Sequence, residues 1–220
     1  MPEPASTSSA VRMTKYTHSC VRLERGGRSL VIDPGVWSEP AALMAASAVL
    51  ITHEHADHID ADRLVATLAG DPACRVFAPA PVAESLSDLG NRFVAVAPGD
   101  RFGAAGLDVQ VVGGEHAETY EGLPGCANVG YVIEGGGLYH PGDALFVPDV
   151  AVETLLVPAC APWLKLAEAL DFMHAVRPRR AHPMHDAMLS SIGQEIMDRW
   201  LGEKGGGDYA RMAIGESVTL

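Results

Sequence analysis

Six residues, His53-Glu54-His55-Ala56-Asp57-His58, constrain this chain more than any other stretch. They follow an apolar run, Ala48-Val49-Leu50-Ile51-Thr52, that reads as a buried strand. A fold that buries this segment must satisfy three imidazoles and a carboxylate together, and without partners their desolvation would oppose folding strongly. A divalent cation removes the conflict, because neutral imidazole and ionised carboxylate are its natural donors. Side chains alternate with period two along a strand, so His53 and His55 project to one side. Asp57 and His58 come after the turn and face a second position. The spacing therefore predicts two adjacent metal positions rather than one. The competing reading is a solvated histidine-rich loop that holds nothing.

The chain has 220 residues, 48% of them hydrophobic, enough to bury one substantial core. The expectation is a single α/β domain over 11–220, preceded by a disordered tail at 1–10. A formal charge of −12 argues against a nucleic-acid surface, since phosphates would be repelled everywhere except at a local metal. Arg177, Arg179 and Arg180 form the densest basic group and simply follow a helix. Cys20, Cys74, Cys126 and Cys160 lie far apart without a CxxC pair, as expected of buried thiols in a reducing compartment. No stretch approaches the ~20 apolar residues that span a bilayer, and the first ten residues contain no hydrophobic signal region. These features predict a cytoplasmic protein with a small-molecule substrate, no nucleic acid and no membrane; a homo-oligomer is left open.

Short strands dominate the first third: Val11–Thr17, Val21–Arg25 and Ser29–Asp33 read as a meander, with Gly26-Gly27 turning one hairpin. Asp60 suits the N-cap of a helix over Ala61–Ala69. A strand over Arg75–Ala78 and a short helix over Val82–Leu89 follow. Three further strands are expected at Phe93–Ala97, Leu107–Gly113 and Val129–Glu134, and Leu138–His140 runs into a Pro-Gly-Asp turn. After a strand at Thr154–Pro158, Trp163, Leu166, Ala167, Leu170 and Met173 recur at helical spacing, which makes Trp163 a helix-core residue. Lys165 falls on the opposite, solvated face. Leu189, Ile192, Ile196 and Trp200 mark the apolar face of a last helix, and a closing strand is expected at Tyr209–Ile214. Strand-rich blocks interleaved with helices predict two sheets packed face to face with helices outside.

The pattern His53-x-His55-x-Asp57-His58 resembles the signature of the metallo-β-lactamase superfamily. Gly114-Glu115-His116, Tyr139-His140-Pro141-Gly142-Asp143 and Ala181-His182-Pro183-Met184-His185 resemble the later motifs of that family, in order. The match runs from about Tyr16 to about His185. Thr17-His18-Ser19 and Pro183-Met184-His185 look like the ascorbate-6-phosphate lactonase-like branch of small hydrolases. The resemblance implies an αββα sandwich of two mixed sheets flanked by helices, with the site where strand ends converge.

By position, the resemblance implies that His53, His55 and His116 hold one ion, that Asp57, His58 and His185 hold the other, and that Asp143 bridges them. His182 competes with His185 for the last place; His185 is favoured because the motif's histidine follows a Pro-x pair. Two divalent ions are implied, zinc first, with manganese or iron as alternatives. A water shared between them would supply hydroxide near neutral pH. Asp57 and His140 are assigned to catalysis, Asp57 as the group that orients the hydroxide. His18 and His140 are pocket or supporting residues rather than ligands on this reading, with a plain core or surface role as the alternative, and His174 is structural. Trp37 and Tyr120 are read as ordinary packing residues, with a place at a pocket mouth as the alternative.

The implied reaction is hydrolysis of a small lactone, ester or phosphoester, a cyclic or phosphorylated carboxylate derivative being the leading kind. One rival is a mononuclear iron sulfur dioxygenase, which resembles the pattern closely; another is a non-catalytic metal-binding scaffold. Di-iron oxidoreductase relatives place Glu at the position of His55 and add a flavin module, and this chain does neither.

Overall fold

The computed structural model describes residues 10–69, 73–121, 123 and 125–220. The expected tail therefore lies outside the described residues, apart from Ala10. The chain forms fourteen described strands: β1 (Arg12–Lys15), β2 (Val21–Arg25), β3 (Arg28–Ile32), β4 (Ala48–Leu50), β5 (Arg75–Ala78), β6 (Phe93–Ala95), β7 (Arg101–Ala104), β8 (Leu107–Glu115), β9 (Ala127–Ile133), β10 (Leu138–His140), β11 (Thr154–Pro158), β12 (Arg180–Met184), β13 (Asp208–Tyr209) and β14 (Ser217–Thr219). Three α-helices accompany them: α1 (Ala61–Leu68), α2 (Leu166–Val176) and α3 (Ser191–Lys204). The strands form two seven-stranded sheets, ordered β14-β1-β2-β3-β4-β5-β6 and β13-β12-β11-β10-β9-β8-β7. In each sheet one half is antiparallel and the other parallel. With helices on the outer faces, this is the αββα sandwich.

Period-two alternation builds the layers. In β3, Leu30 and Ile32 face the second sheet while Val31 faces outward; in β11, Leu156 faces in while Leu155 and Val157 face out. The layer between the sheets joins Met13, Leu23 and Leu50 to Val111, Tyr131 and Met184. Leu64 and Leu68 of α1 cover one outer face, and Phe172, Met173 and Leu201 of α2 and α3 cover the other. Full burial of each such aliphatic side chain contributes roughly 1.5–3 kcal/mol. Asp60 caps α1, its carboxylate accepting from the Arg63 amide at 3.0 Å.

Several expectations are corrected. The predicted helix at Val82–Leu89 is two 3-10 segments, Ala80–Ala83 and Ser87–Arg92. Pro81 can start a turn there, but Gly90 departs from helical geometry with φ +54°. β7, with Gly103 and no alternation, gives no strand signal, yet it pairs with β8. The closing strand is only Asp208–Tyr209; the chain then crosses to the first sheet, where β14 pairs with β1. On α3, Ile192, Ile196 and Trp200 are exposed at 68%, 45% and 40%, and Leu201 points inward instead. Trp163 is not in a helix at all, because α2 begins at Leu166. Lys165 does lie in solvent, beside Glu168.

The topology delivers one edge. β3 and β4 are parallel, as are β10, β11 and β12, while β8 runs alongside β10 with β9 between them. The C-terminal ends of these strands therefore face the same way, as does the turn from β1 to β2. Each leads into a segment bearing a histidine or aspartate.

Candidate metal centre

Seven segments converge at that edge. β4 leads into His53–His58, folded back by amides of His58 and Ile59 that donate to the His55 carbonyl at 2.9 and 3.1 Å. Gly35 permits the fold, since a Cβ there would lie 1.9 Å from the Asp57 carbonyl oxygen. β8 delivers His116, β10 delivers Asp143, and β12 delivers His185 in a left-handed conformation, φ 54°. The β1–β2 turn delivers His18, also left-handed at φ 66°. β3 ends at Asp33 and β11 leads to Cys160.

Among the described residues, potential ligand atoms fall into two groups, each with members within 4.8 Å of one another: His53, His55, His116 and Asp143; and His18, Asp57, His58 and His185. His53 Nε2 and His55 Nδ1 approach to 3.0 Å. Asp143 joins the groups, with Oδ1 3.0 Å from His58 Nε2 and Oδ2 2.9 Å from His185 Nε2 and 3.4 Å from His116 Nε2. Donors about 2.1 Å from a tetrahedral cation sit ~3.4 Å from each other, so this spacing suits a shared ion. The structure brings all seven expected ligands together and adds His18 to the second group. His182 is elsewhere, its Nδ1 2.7 Å from the Ala210 carbonyl, while His185 faces the centre.

The opposite nitrogen of most rings is anchored. His58 Nδ1 lies 2.6 Å from Asp33 Oδ2, His116 Nδ1 lies 2.6 Å from the Ala117 carbonyl, and His185 Nδ1 lies 2.5 Å from the Cys160 carbonyl. Asp33 is fixed in turn by the Thr52 amide and hydroxyl, which donate at 2.8 and 2.7 Å. Such partners set which ring nitrogen is left for a metal. His58 Nε2, His116 Nε2, His185 Nε2 and Asp143 Oδ1 are consequently buried without a hydrogen bond.

Burial opposes charge on every one of these groups, and pairing decides which retain it. Burial outweighs all else at His53 and His55, holding their pKa values low. Burial also opposes charge on His58, but Asp143 and Asp33 prevail and raise it well above the usual imidazole value. For His185 the same contest, won by the nearby carboxylates of Asp143 and Asp57, gives about 9. Asp143 is buried and Asp57 half-buried, yet neighbouring imidazoles hold both well below the usual carboxylate range.

Three residues outside the expected set complete the surroundings. Trp163 Nε1 donates to Asp143 Oδ2 at 3.1 Å, so the residue expected in a helix core positions the carboxylate between the two groups. Asp33 carried no metal-site signal as the end of a strand. His18 Nε2 lies 3.1 Å from Asp57 Oδ2, and the exposed Trp37 stands edge-on to its ring at 4.9 Å. Trp37 and Tyr120, at 46% and 73% exposure, are not packing residues.

His140, assigned to catalysis from sequence, is corrected. It is fully buried, with Nε2 2.9 Å from the Ser19 carbonyl and Nδ1 accepting from the Gly142 amide at 3.2 Å. Both nitrogens are occupied behind the centre, which leaves it to brace the His18 turn and the Asp143 turn. His174 is structural, 2.6 Å from the Lys204 carbonyl. A cleft of about 910 Å³ opens beside the first group, lined by His55, His116, Cys126 and the carboxylates of Glu54, Glu115 and Glu118. Burial, and then Glu54, push the Cys126 thiol up to about 11.

A two-sheet sandwich carrying a histidine and aspartate cluster on one edge defines a metallohydrolase-type scaffold. A family profile described as a beta-lactamase superfamily domain matches residues 12–185, and the chain belongs to the metallo-β-lactamase superfamily of metal-dependent hydrolases. Protein Rv0786c of Mycobacterium tuberculosis is 38% identical over 215 residues, covering 96% of this chain and all of that protein. The UPF0173 metal-dependent hydrolase TV0864 of Thermoplasma volcanium is 25% identical over 189 residues, covering 80% of this chain and 83% of that one. Among solved structures, the metallo hydrolase Igni18 of Ignicoccus hospitalis superimposes with a TM-score of 0.75 at 22% identity, over 96% of this chain and 99% of that one.

Proposed function

We propose that this chain is a dinuclear metal-dependent hydrolase of a small-molecule lactone, ester or phosphoester. The observation that carries the reading is the convergence of four buried polar atoms without hydrogen bonds: His58 Nε2, His116 Nε2, His185 Nε2 and Asp143 Oδ1. Buried polar atoms without partners are costly, and their mutual spacing suits ligation. His53, His55 and His116 would hold one ion, Asp57, His58 and His185 the other, with Asp143 between. The histidine-rich donor set suits zinc, with manganese or iron as alternatives. A divalent pair supplies Lewis-acid polarisation of a carbonyl or phosphoryl oxygen and draws the pKa of water toward neutrality.

The chain's own residues do the positioning. Asp57 Oδ2, held by His18 at 3.1 Å, stays ionised and accepts the hydrogen bond that orients the attacking water. Trp163 and the Asn128 side chain, whose Oδ1 accepts from the Asp143 amide at 3.0 Å, fix the shared carboxylate. A cleft of about 910 Å³ fits a compact metabolite rather than a polymer. No helix among the described residues is long and apolar enough to cross a membrane. A reducing, cytoplasmic setting agrees with the thiols of Cys20, Cys126 and Cys160, none of which forms a disulfide.

The test is elemental analysis of protein purified without chelator, followed by a panel of lactones, esters and phosphodiesters. Two ions per chain are expected, and Asp143→Ala should lower occupancy and abolish turnover. One ion under metal-replete conditions, or an active Asp143→Ala protein, overturns the dinuclear reading. Iron content with oxygen uptake would favour the dioxygenase instead.

A further inference from the structure

A buried cation ties down the β1–β2 turn that carries His18. Lys15, the last residue of β1, is 3% exposed, and its side chain points the same way as Met13, into the layer between the sheets. Its Nζ donates to the Tyr16 and His18 carbonyls, both at 2.5 Å. Across the layer it stands 3.8 Å from Oδ1 of Asp186, the residue after His185. Asp186 is held in turn by the Arg211 guanidinium, which also donates to the two Asp198 oxygens at 2.7 and 2.9 Å. The Lys15 main chain is pinned as well, to Gly215 and Glu216 at 2.8 and 3.0 Å. Lysine is almost never fully buried unless paired, and a hydrophobic side chain of the same length would fill this layer without desolvating a charge. What the ammonium adds is a donor for the turn carbonyls and a link to the opposite sheet.

The ring aimed by this turn has a defined hydrogen. The Ala187 amide donates to His18 Nδ1 at 3.3 Å, so the ring proton sits on Nε2. Nε2 faces Asp57 Oδ2 at 3.1 Å, which makes His18 the donor that orients Asp57 rather than a ligand itself. Lys15 and His18 thus grip one loop together, at the Asp186 carboxylate and the Ala187 amide. The second donor group draws His18, Asp57 and His58 from the first sheet and His185 from the second, with the His18 and His185 ring centroids 4.0 Å apart. Lys15 crosses that seam. Among the described residues it forms no hydrogen bond or ion pair with His53, His55, His116 or Asp143.

Resting on the dinuclear reading above, we propose that Lys15 is a positioning residue for the second donor group: it holds the His18 turn against the His185 loop, so that His18 Nε2–H meets Asp57. It acts through His18 and touches neither ion nor substrate. Loss of a group that orients a ligand typically lowers metal affinity ~10–100-fold, and a residue acting one step behind it belongs at the lower end.

The experiment titrates cobalt(II) into the metal-free full chain, wild type and Lys15→Met, in competition with a chromophoric chelator. Methionine keeps the length of the side chain and removes its charge. The binding step that His185→Ala abolishes marks the second ion. In Lys15→Met that step should weaken ~10-fold while the other stays within about twofold. With His18→Ala already present, the same substitution should move it by less than ~3-fold. Equal weakening of both steps, an unchanged second step, or an undiminished effect with His18 absent each overturns the proposal. Heteronuclear NMR of the metal-free proteins reads the ring itself. His18 should be fixed as the Nε2–H tautomer in the wild type and should lose that single form in Lys15→Met. A wild-type ring protonated on Nδ1, or a ring unchanged in the variant, also overturns the proposal. Should Lys15→Met not fold, Lys15→Gln, which keeps one amide donor, takes its place with the same readouts. If the wild type binds a single ion, the dinuclear reading fails, and the His18 ring signature alone decides the role of Lys15.

Discussion

Removing divalent metal with a chelator and then varying pH isolates the charge on His185. One ring nitrogen faces the Cys160 carbonyl at 2.5 Å, and the other faces Asp143 at 2.9 Å and Asp57 at 3.4 Å. Burial favours the neutral ring, but the two carboxylates prevail and the pKa rises to about 9. In the unfolded chain the same ring titrates near ~6.5. The folded value is the higher one, so the contribution to stability is complete below pH 6.5 and is lost as pH rises through 9. It amounts to roughly 3 kcal/mol at the acid end and about 2 kcal/mol at pH 7.5. His58, raised in the same direction by Asp143 and Asp33, steepens the trend. A metal ligand must be deprotonated, so metal uptake displaces both protons. Urea midpoints of metal-free protein should therefore fall between pH 6.5 and 9, and metal-free His185→Gln should lose much of that slope. Metal uptake at pH 7.5 should release close to two protons per chain, read by calorimetry in buffers of different ionisation enthalpy. Release of well under one proton, or metal-free stability that climbs across the window, would refute the assignment of these rings to the centre.

His185→Ala should lose metal and turnover, whereas His182→Ala, whose ring bonds the Ala210 carbonyl, should keep most of both; the reverse pattern in elemental analysis would move the ligand three residues upstream. Trp163→Phe removes the N–H donor to Asp143 and should weaken metal affinity ~10–100-fold in a chelator competition, with unchanged affinity counting against a positioning role. Gly35→Ala would drive a Cβ to within 1.9 Å of the Asp57 carbonyl oxygen, and the loop must shift. A loss above ~3 kcal/mol and depleted metal are expected, and a variant with wild-type melting temperature and metal content would show that the loop is not held there.

What the sequence determined is local. Continuous apolar runs in segments such as Val31-Ile32 and Leu155-Leu156-Val157 specify strands buried on both faces, and the motifs around His53, His116, Asp143 and His185 name donors by chemistry and spacing. Periodicity also marks a last helix, because Ile192, Ile196 and Trp200 recur every four residues. It cannot say whether a neighbour covers that stripe, and among the described residues none does, so the buried side of α3 is carried by Leu201. Tertiary structure alone decided the surroundings of the centre. Asp33 reaches His58 across 25 residues, Trp163 reaches Asp143 across 20, and His140 turns back to Ser19 across 121. Glu54 lines the same cleft as Glu115 and Glu118 only because the β4 and β8 ends share an edge. None of these pairings has a sequence period, since each is set by strand order and register: short-range chemistry selects the donors, and long-range packing decides what stands behind and in front of them.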